Sequence, residues 1–122
     1  MCTRYGNVWG STGSVGPLWA QALEDGASHL PVTDPDCTRF FMRLTEAVQL
    51  VLDTLATCPT ETVIPVLPAY RVGDLAEAMG APSIITGLKK GEKLHEGMAE
   101  GNTSDKARRM TIDELKEAIK EL

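Results

Sequence analysis

The 122-residue sequence has no run of about eighteen apolar residues, so no segment is expected to cross a membrane as a helix. Its first residues, MCTRYGNVWG, lack the apolar stretch of a secretory signal. No C-x-x-C and no H-E-x-x-H occurs; Cys2, Cys37 and Cys58 are scattered, and His29 and His95 stand apart. Neither a disulfide framework nor a patterned metal site is expected from such spacing, and reduced thiols in a cytoplasmic setting are. Basic residues are in deficit, 12 against 17 acidic for a net charge of −5, which argues against a nucleic-acid surface. Internal repeats and low-complexity linkers are also missing. What is present, 43% hydrophobic and 24% charged residues, suits one soluble domain spanning 1–122.

Local signals divide that domain into an α/β pattern. CTRYGNVW, with its β-favouring Thr, Tyr, Val and Trp, predicts a strand near 2–8. GSTGSVG at 10–16 predicts a loop, and Pro17 suits the first turn of a helix over 17–25. GASHLPVTDPD reads as a turn, a short extended piece that Pro31 interrupts, and a second turn at Pro35. In LTEAVQLVLDTL, Leu44, Ala47, Val48, Val51, Leu52 and Leu55 recur as one buried helical face would. Strands are expected near 62–67, at an edge or terminal position because of Pro65, and near 83–86, with a short helix in VGDLAEAMG between them. EGNTSDKARR at 100–109 is polar enough for a mobile loop. A C-terminal helix over 111–122 opens on Thr111 and Glu114 at capping-box spacing.

Three stretches carry candidate chemistry. Gly10, Gly13 and Gly16 fit a dinucleotide fingerprint after a strand and before a helix, with Asp34 where a ribose-binding acid would stand; a turn of small residues fits as well. GLKKGEKLHE at 87–96 concentrates three lysines in five positions. Lysines meet phosphate as hydrated point charges, and a carboxylate such as Glu92 accepts from paired ribose hydroxyls. A solvated, charged helix start is the plainer reading of that stretch. In TDPDCTRFF, Arg39 beside two phenylalanines suits base stacking or phosphate, and equally an ion pair with Asp34 or Asp36. An independent enzyme built on Asp34, Asp36 or His95 has no acid–base spacing to fix its geometry.

RYGNVWGSTGSV, VTDPDCTRFFM, TEAVQLV, DLAEAM and GLKKGEKLHE, in that order, resemble the C-terminal portion of the UDP-N-acetylglucosamine 4,6-dehydratase family. These are polysaccharide-biosynthesis enzymes of the extended short-chain dehydrogenase/reductase class, and the resemblance covers residues 3–99. It implies an α/β fold: the small substrate-binding portion without the N-terminal Rossmann half. It also implies a UDP-sugar pocket. Asn7 stands where the family's asparagine reaches the substrate diphosphate. Ser14 and Val15 fall in a loop beside the nucleotide-sugar, Thr38 and Arg39 in the segment flanking the nucleotide, and Glu92 at the acid that holds the ribose. Lys89 replaces the usual arginine and Lys90 the usual proline; Thr12 replaces a common arginine and Gly16 a bulky aliphatic. A lysine offers a point charge where arginine offers a flat two-pronged donor, which weakens the implied grip on UDP.

Family enzymes use NADP, bound in their N-terminal half, and a Tyr-x-x-x-Lys pair that moves protons. Here Trp9 follows Tyr5 by four positions and Asp74 follows Tyr70, so that pair is missing. The resemblance therefore implies that no cofactor is bound by this chain alone and that no catalytic residue lies within it. It implies a UDP-sugar-binding half completed by a separate Rossmann-half chain, or else a non-catalytic nucleotide-binding, regulatory or oligomerisation module. Parted from a large sheet, the strand at 2–8 would show an unpaired edge flanked by exposed Val8 and Trp9. A homo-oligomer, a dimer closing that edge, is expected, with no nucleic-acid or membrane partner.

Overall fold

Short elements follow from the frequent prolines and glycines, which stop strands and helices before they lengthen. The computed structural model describes residues 2–4, 7–11, 15–99 and 101–122. In chain order it contains β1 (Cys2–Thr3), α1 (Val15–Glu24), β2 (Leu30–Val32), β3 (Thr38–Phe40) and α2 (Leu44–Thr57). There follow β4 (Thr62–Val63), β5 (Ala69–Arg71), α3 (Val72–Ala78), β6 (Ser83–Ile85), β7 (Gly97–Ala99), β8 (Asn102–Thr103) and α4 (Ile112–Ile119). The fold is α/β. Its strands form two-stranded ladders: β1 with β4 and β2 with β6 run parallel, β3 with β5 and β7 with β8 antiparallel.

The strands expected at 2–8 and 62–67 shrink to Cys2–Thr3 and Thr62–Val63. Pro65 and Pro68 have no N–H to extend the second ladder. Beyond the first, residues 5 and 6 lie outside the described residues, and the Trp9 amide donates to the Met42 carbonyl. Pro31 does not interrupt its segment: Leu30–Val32 is a strand, and in a two-stranded ladder its missing N–H falls on the open side. Leu30 and Val32 are buried on one face while Pro31 is exposed on the other.

β3 separates two apolar clusters. Phe40 joins Met42, Ala47, Leu67, Ala69 and Met98. The next residue, Phe41, points the other way among Trp19, Leu30, Val32, Tyr70, Leu75 and Leu115. Helix α4 contributes Leu115 and Ala118 to this second cluster and packs on α3. Its capping box is two-way: Glu114 N–H donates to Thr111 Oγ1 at 3.1 Å and Thr111 N–H to Glu114 Oε1 at 3.0 Å.

Helix α2 corrects the sequence reading. Its start falls at Leu44, but the apolar face is not buried: Leu44 is 64% exposed, Val48 50%, Leu52 53% and Leu55 52%, and the buried residues are Ala47 and Thr54. Trp9, expected as an exposed flank, is instead half-buried between Phe41 and Tyr70, with its indole N–H donating to the Ala118 carbonyl at 2.9 Å. The polar stretch 100–109 is partly fixed as well. Its residues Asn102–Thr103 pair with β7, and Ser104 is fully buried.

Candidate functional site

A cleft of about 190 Å³ opens where the Asn7–Trp9 loop, the start of α1 and the β3–β5 ladder meet. Asn7, Val15, Arg39 and Tyr70 line it, with Trp9, Phe40 and Phe41 supplying aromatic walls. The ladder register sets Arg39 directly opposite Tyr70, so both side chains project from one face. Gly16 lets this corner close: a Cβ there would stand 3.4 Å from the Trp9 ring and 3.3 Å from the Leu122 side chain.

Arg39 joins the cleft to the 87–96 loop. Its Nη1 donates to the Thr38 carbonyl at 2.7 Å and the Leu94 carbonyl at 3.1 Å, and Nη2 to the Lys93 carbonyl at 2.9 Å. Its Nε stands 3.5 Å from a Glu96 oxygen. Burial pushes the Glu96 carboxyl up, against the opposing pull of Arg39 and the Phe40 amide. The partner of Asp36 is Arg71, at 3.0 Å, so Arg39 has its own acid and does not pair with Asp34 or Asp36.

Beneath this clamp lies a buried polar junction. Thr38 Oγ1 is 2.6 Å from His95 Nδ1 and 2.6 Å from Ser104 Oγ, and Ser104 Oγ donates to the Thr38 carbonyl at 3.1 Å. Each hydroxyl has one hydrogen. Thr38 Oγ1 links His95 Nδ1 to Ser104 Oγ in one hydrogen-bonded chain. Ser104 also accepts from the Glu96 amide at 2.8 Å. The junction ties the end of the 87–96 loop to β3.

The sequence-derived residues therefore separate into groups. Asn7, Val15 and Arg39 share the cleft. Thr38 sits behind it, its hydroxyl turned into the buried junction. Lys89 and Glu92 lie on the exposed part of the 87–96 loop, where the Glu92 amide donates to the Lys89 carbonyl in a turn between left-handed Gly87 and Gly91. That stretch is not a helix start. Ser14 lies outside the described residues. Sequence reasoning missed Tyr70 and Glu96 as cleft neighbours; Tyr70 is the one β-favouring residue in AYR, and nothing local announces its pairing with Arg39.

Of the glycine loop, Gly13 lies outside the described residues, and the elements on either side of it are not arranged as in a dinucleotide fingerprint. In a fingerprint site, the strands flanking the loop and helix are neighbours in one parallel sheet. Here β1 pairs with β4 and β2 with β6, in separate ladders. Gly16 faces Trp9 and Leu122 rather than open space. The described residues at this corner do not fit NADP.

The family model for polysaccharide biosynthesis protein matches residues 1–117. The chain belongs to this family. It is 42% identical over 106 residues to a UDP-N-acetylglucosamine 4,6-dehydratase (inverting) of Campylobacter jejuni, an alignment covering 84% of this chain and 31% of that protein. It is 33% identical over 113 residues to the probable polysaccharide biosynthesis protein EpsC of Bacillus subtilis, covering 84% of this chain and 19% of that one. Among solved structures, Pen from Bacillus thuringiensis superposes with a TM-score of 0.82 at 26% identity, over 98% of this chain and 48% of that chain. The chain thus spans less than half the length of each of these relatives. Among the described residues, no helix of this family member is long and apolar enough to cross a membrane.

Proposed function

We propose that this polysaccharide biosynthesis family chain supplies the UDP-binding grip of a UDP-N-acetylglucosamine 4,6-dehydratase-like enzyme, and that hydride and proton transfer lie outside these 122 residues. The observation that carries the reading is the convergence of Asn7, Val15 and Arg39, matched separately by resemblance, on one aromatic-walled cleft. The Asn7 amide offers donors to a diphosphate. Arg39 has most of its N–H groups engaged by carbonyls and acts chiefly as a fixed positive charge, held in place by the acid beside it. Lys89 and Lys90 add mobile point charges from the adjoining loop, and Glu92 is available to ribose hydroxyls. At about 190 Å³ the cleft is smaller than the roughly 300–1,000 Å³ of a complete small-molecule site, which suits a partial one.

The exposed face of α2 supports a partner. Leu44, Val48, Val51 and Leu52, with Val8, form an apolar groove beside the parallel β1–β4 pair. Parallel pairs are normally covered on both faces. The proposed occupant is a nucleotide-binding Rossmann-type half, which would bring NADP and the missing proton-transfer pair. A second copy of this chain on the same face is the competing outcome, read out by sedimentation.

Calorimetric titration tests the grip. UDP and UDP-N-acetylglucosamine are expected to bind, and Glu92→Ala to weaken both by roughly tenfold or more, the effect of losing hydrogen bonds to a charged group. Absence of heat with either ligand at high protein concentration would leave a structural or oligomerisation role.

A further inference from the structure

Tyr70 is 6% exposed, yet it contributes to the wall of the cleft. Its ring meets Trp9 edge-on, with centroids 5.9 Å apart, and it stands across the β3–β5 ladder from Arg39. Its hydroxyl has no hydrogen-bond partner among the described residues. No fully buried side-chain polar atom among those residues lacks a partner, so the hydroxyl is not sealed in the core, and Tyr70 is one of the residues that line the cleft. Several polar groups around it are committed: Arg39 largely to carbonyls, Thr38 to His95 and Ser104, and the Trp9 indole to Ala118. A phenylalanine would provide the same ring contacts. Among the described residues that line the cleft, the buried Tyr70 phenol is a donor with no acceptor.

We propose that Tyr70 is a ligand-contacting residue of this cleft, its hydroxyl donating to a phosphate oxygen of the nucleoside diphosphate held beside Asn7 and Arg39. The inference rests on the function proposed above and adds to it a residue that neither motif nor spacing indicates. Burial pushes the phenol up to about 12, with the Glu96 carboxylate adding to the rise and Arg39 opposing it. The proton therefore stays on at neutral pH, and the group is a neutral donor. Together with the fixed charge of Arg39 it selects an anionic oxygen that can accept, and it gives a stationary contact where the lysines of the loop give mobile ones.

The test is a calorimetric titration of UDP and of uridine into the wild-type chain, Tyr70→Phe and Asn7→Ala, with urea unfolding of each. Tyr70→Phe is expected to weaken UDP roughly tenfold or more while leaving uridine and the unfolding midpoint unchanged. Equal UDP affinity in Tyr70→Phe and wild type, with Asn7→Ala weakened, would overturn the Tyr70 contact and leave the cleft standing. An equal loss for UDP and uridine would overturn the phosphate contact. A loss of affinity matched by a loss of stability would make Tyr70 a packing residue and overturn it too. If wild type takes up no UDP, the proposed function and this contact fall together.

Discussion

Helices α2 and α4 carry the same sequence signature, an apolar stripe at helical spacing, and the molecule treats them oppositely. In α4 the stripe is used: Leu115 and Ala118 are fully buried and Ile119 packs against the same cluster. In α2 the stripe from Leu44 to Leu55 stands half or more exposed at most positions; Ala47 and Thr54 are buried, and Leu50 packs against the Phe40 cluster. Their caps differ in the same sense. Thr111 and Glu114 exchange two hydrogen bonds, whereas at α2 the Glu46 carboxylate accepts from the Arg43 amide and the Arg43 side chain, which has no acceptor, returns nothing to the backbone. Periodicity records that a face is built for burial. It does not record whether the cover lies in the same 122 residues. Fully burying a large apolar side chain contributes about 1.5–3 kcal/mol, and the half-exposed α2 face leaves part of that unrealised.

Substitutions on the two helices sharpen that contrast. Leu115→Ala is expected to lower the urea unfolding free energy by about 2–5 kcal/mol, because it opens a cavity in a closed core. Acid titration of α4 comes next. The Arg108 guanidinium, followed by the Thr111 amide, holds the Glu114 carboxyl down to about 2 from its ordinary 4.5. A lowered folded value means that the contribution is complete above 4.5 and is lost as pH falls toward 2. Glu114→Gln should therefore lower the unfolding midpoint most above pH 4.5, where the contribution is complete, and converge on the wild type as pH falls toward 2. Leu52→Ala should have the smallest effect, within about 0.5 kcal/mol in dilute protein, as expected for an exposed site. A cost approaching that of Leu115→Ala, growing with protein concentration, would break the contrast and show that the α2 face is already covered by a second copy.

What was legible in the sequence is what is local. The α4 box, the start of α2, the α3 segment and the strand near 83–86 are each specified by residues within a turn or two, and the structure has them. The β3–β5 ladder was not legible. Thr38–Phe40 and Ala69–Arg71 have too few residues for a period, and their register is set by packing across two clusters. The pairing of Arg39 with Tyr70, and so the shape of the cleft, went with it. Ser104 shows the same limit from the polar side. Its surroundings read as a solvent loop, yet its hydroxyl meets Thr38 and the Glu96 amide in the interior. The resemblance to a family supplied Asn7, Val15 and Arg39, which share the cleft, and also Lys89 and Glu92, which lie on an exposed loop joined to it through the Arg39 clamp.

The central claim is that a uridine diphosphate is gripped between that cleft and the 87–96 loop. The most direct measurement is an amide-resolved NMR titration of the isotope-labelled chain with UDP. The account predicts saturable shifts at Asn7–Trp9, Arg39–Phe41 and Tyr70 together with the loop from Gly87 to Glu96, and none along α2. Shifts confined to α2, or an unchanged spectrum at saturating UDP, would contradict it.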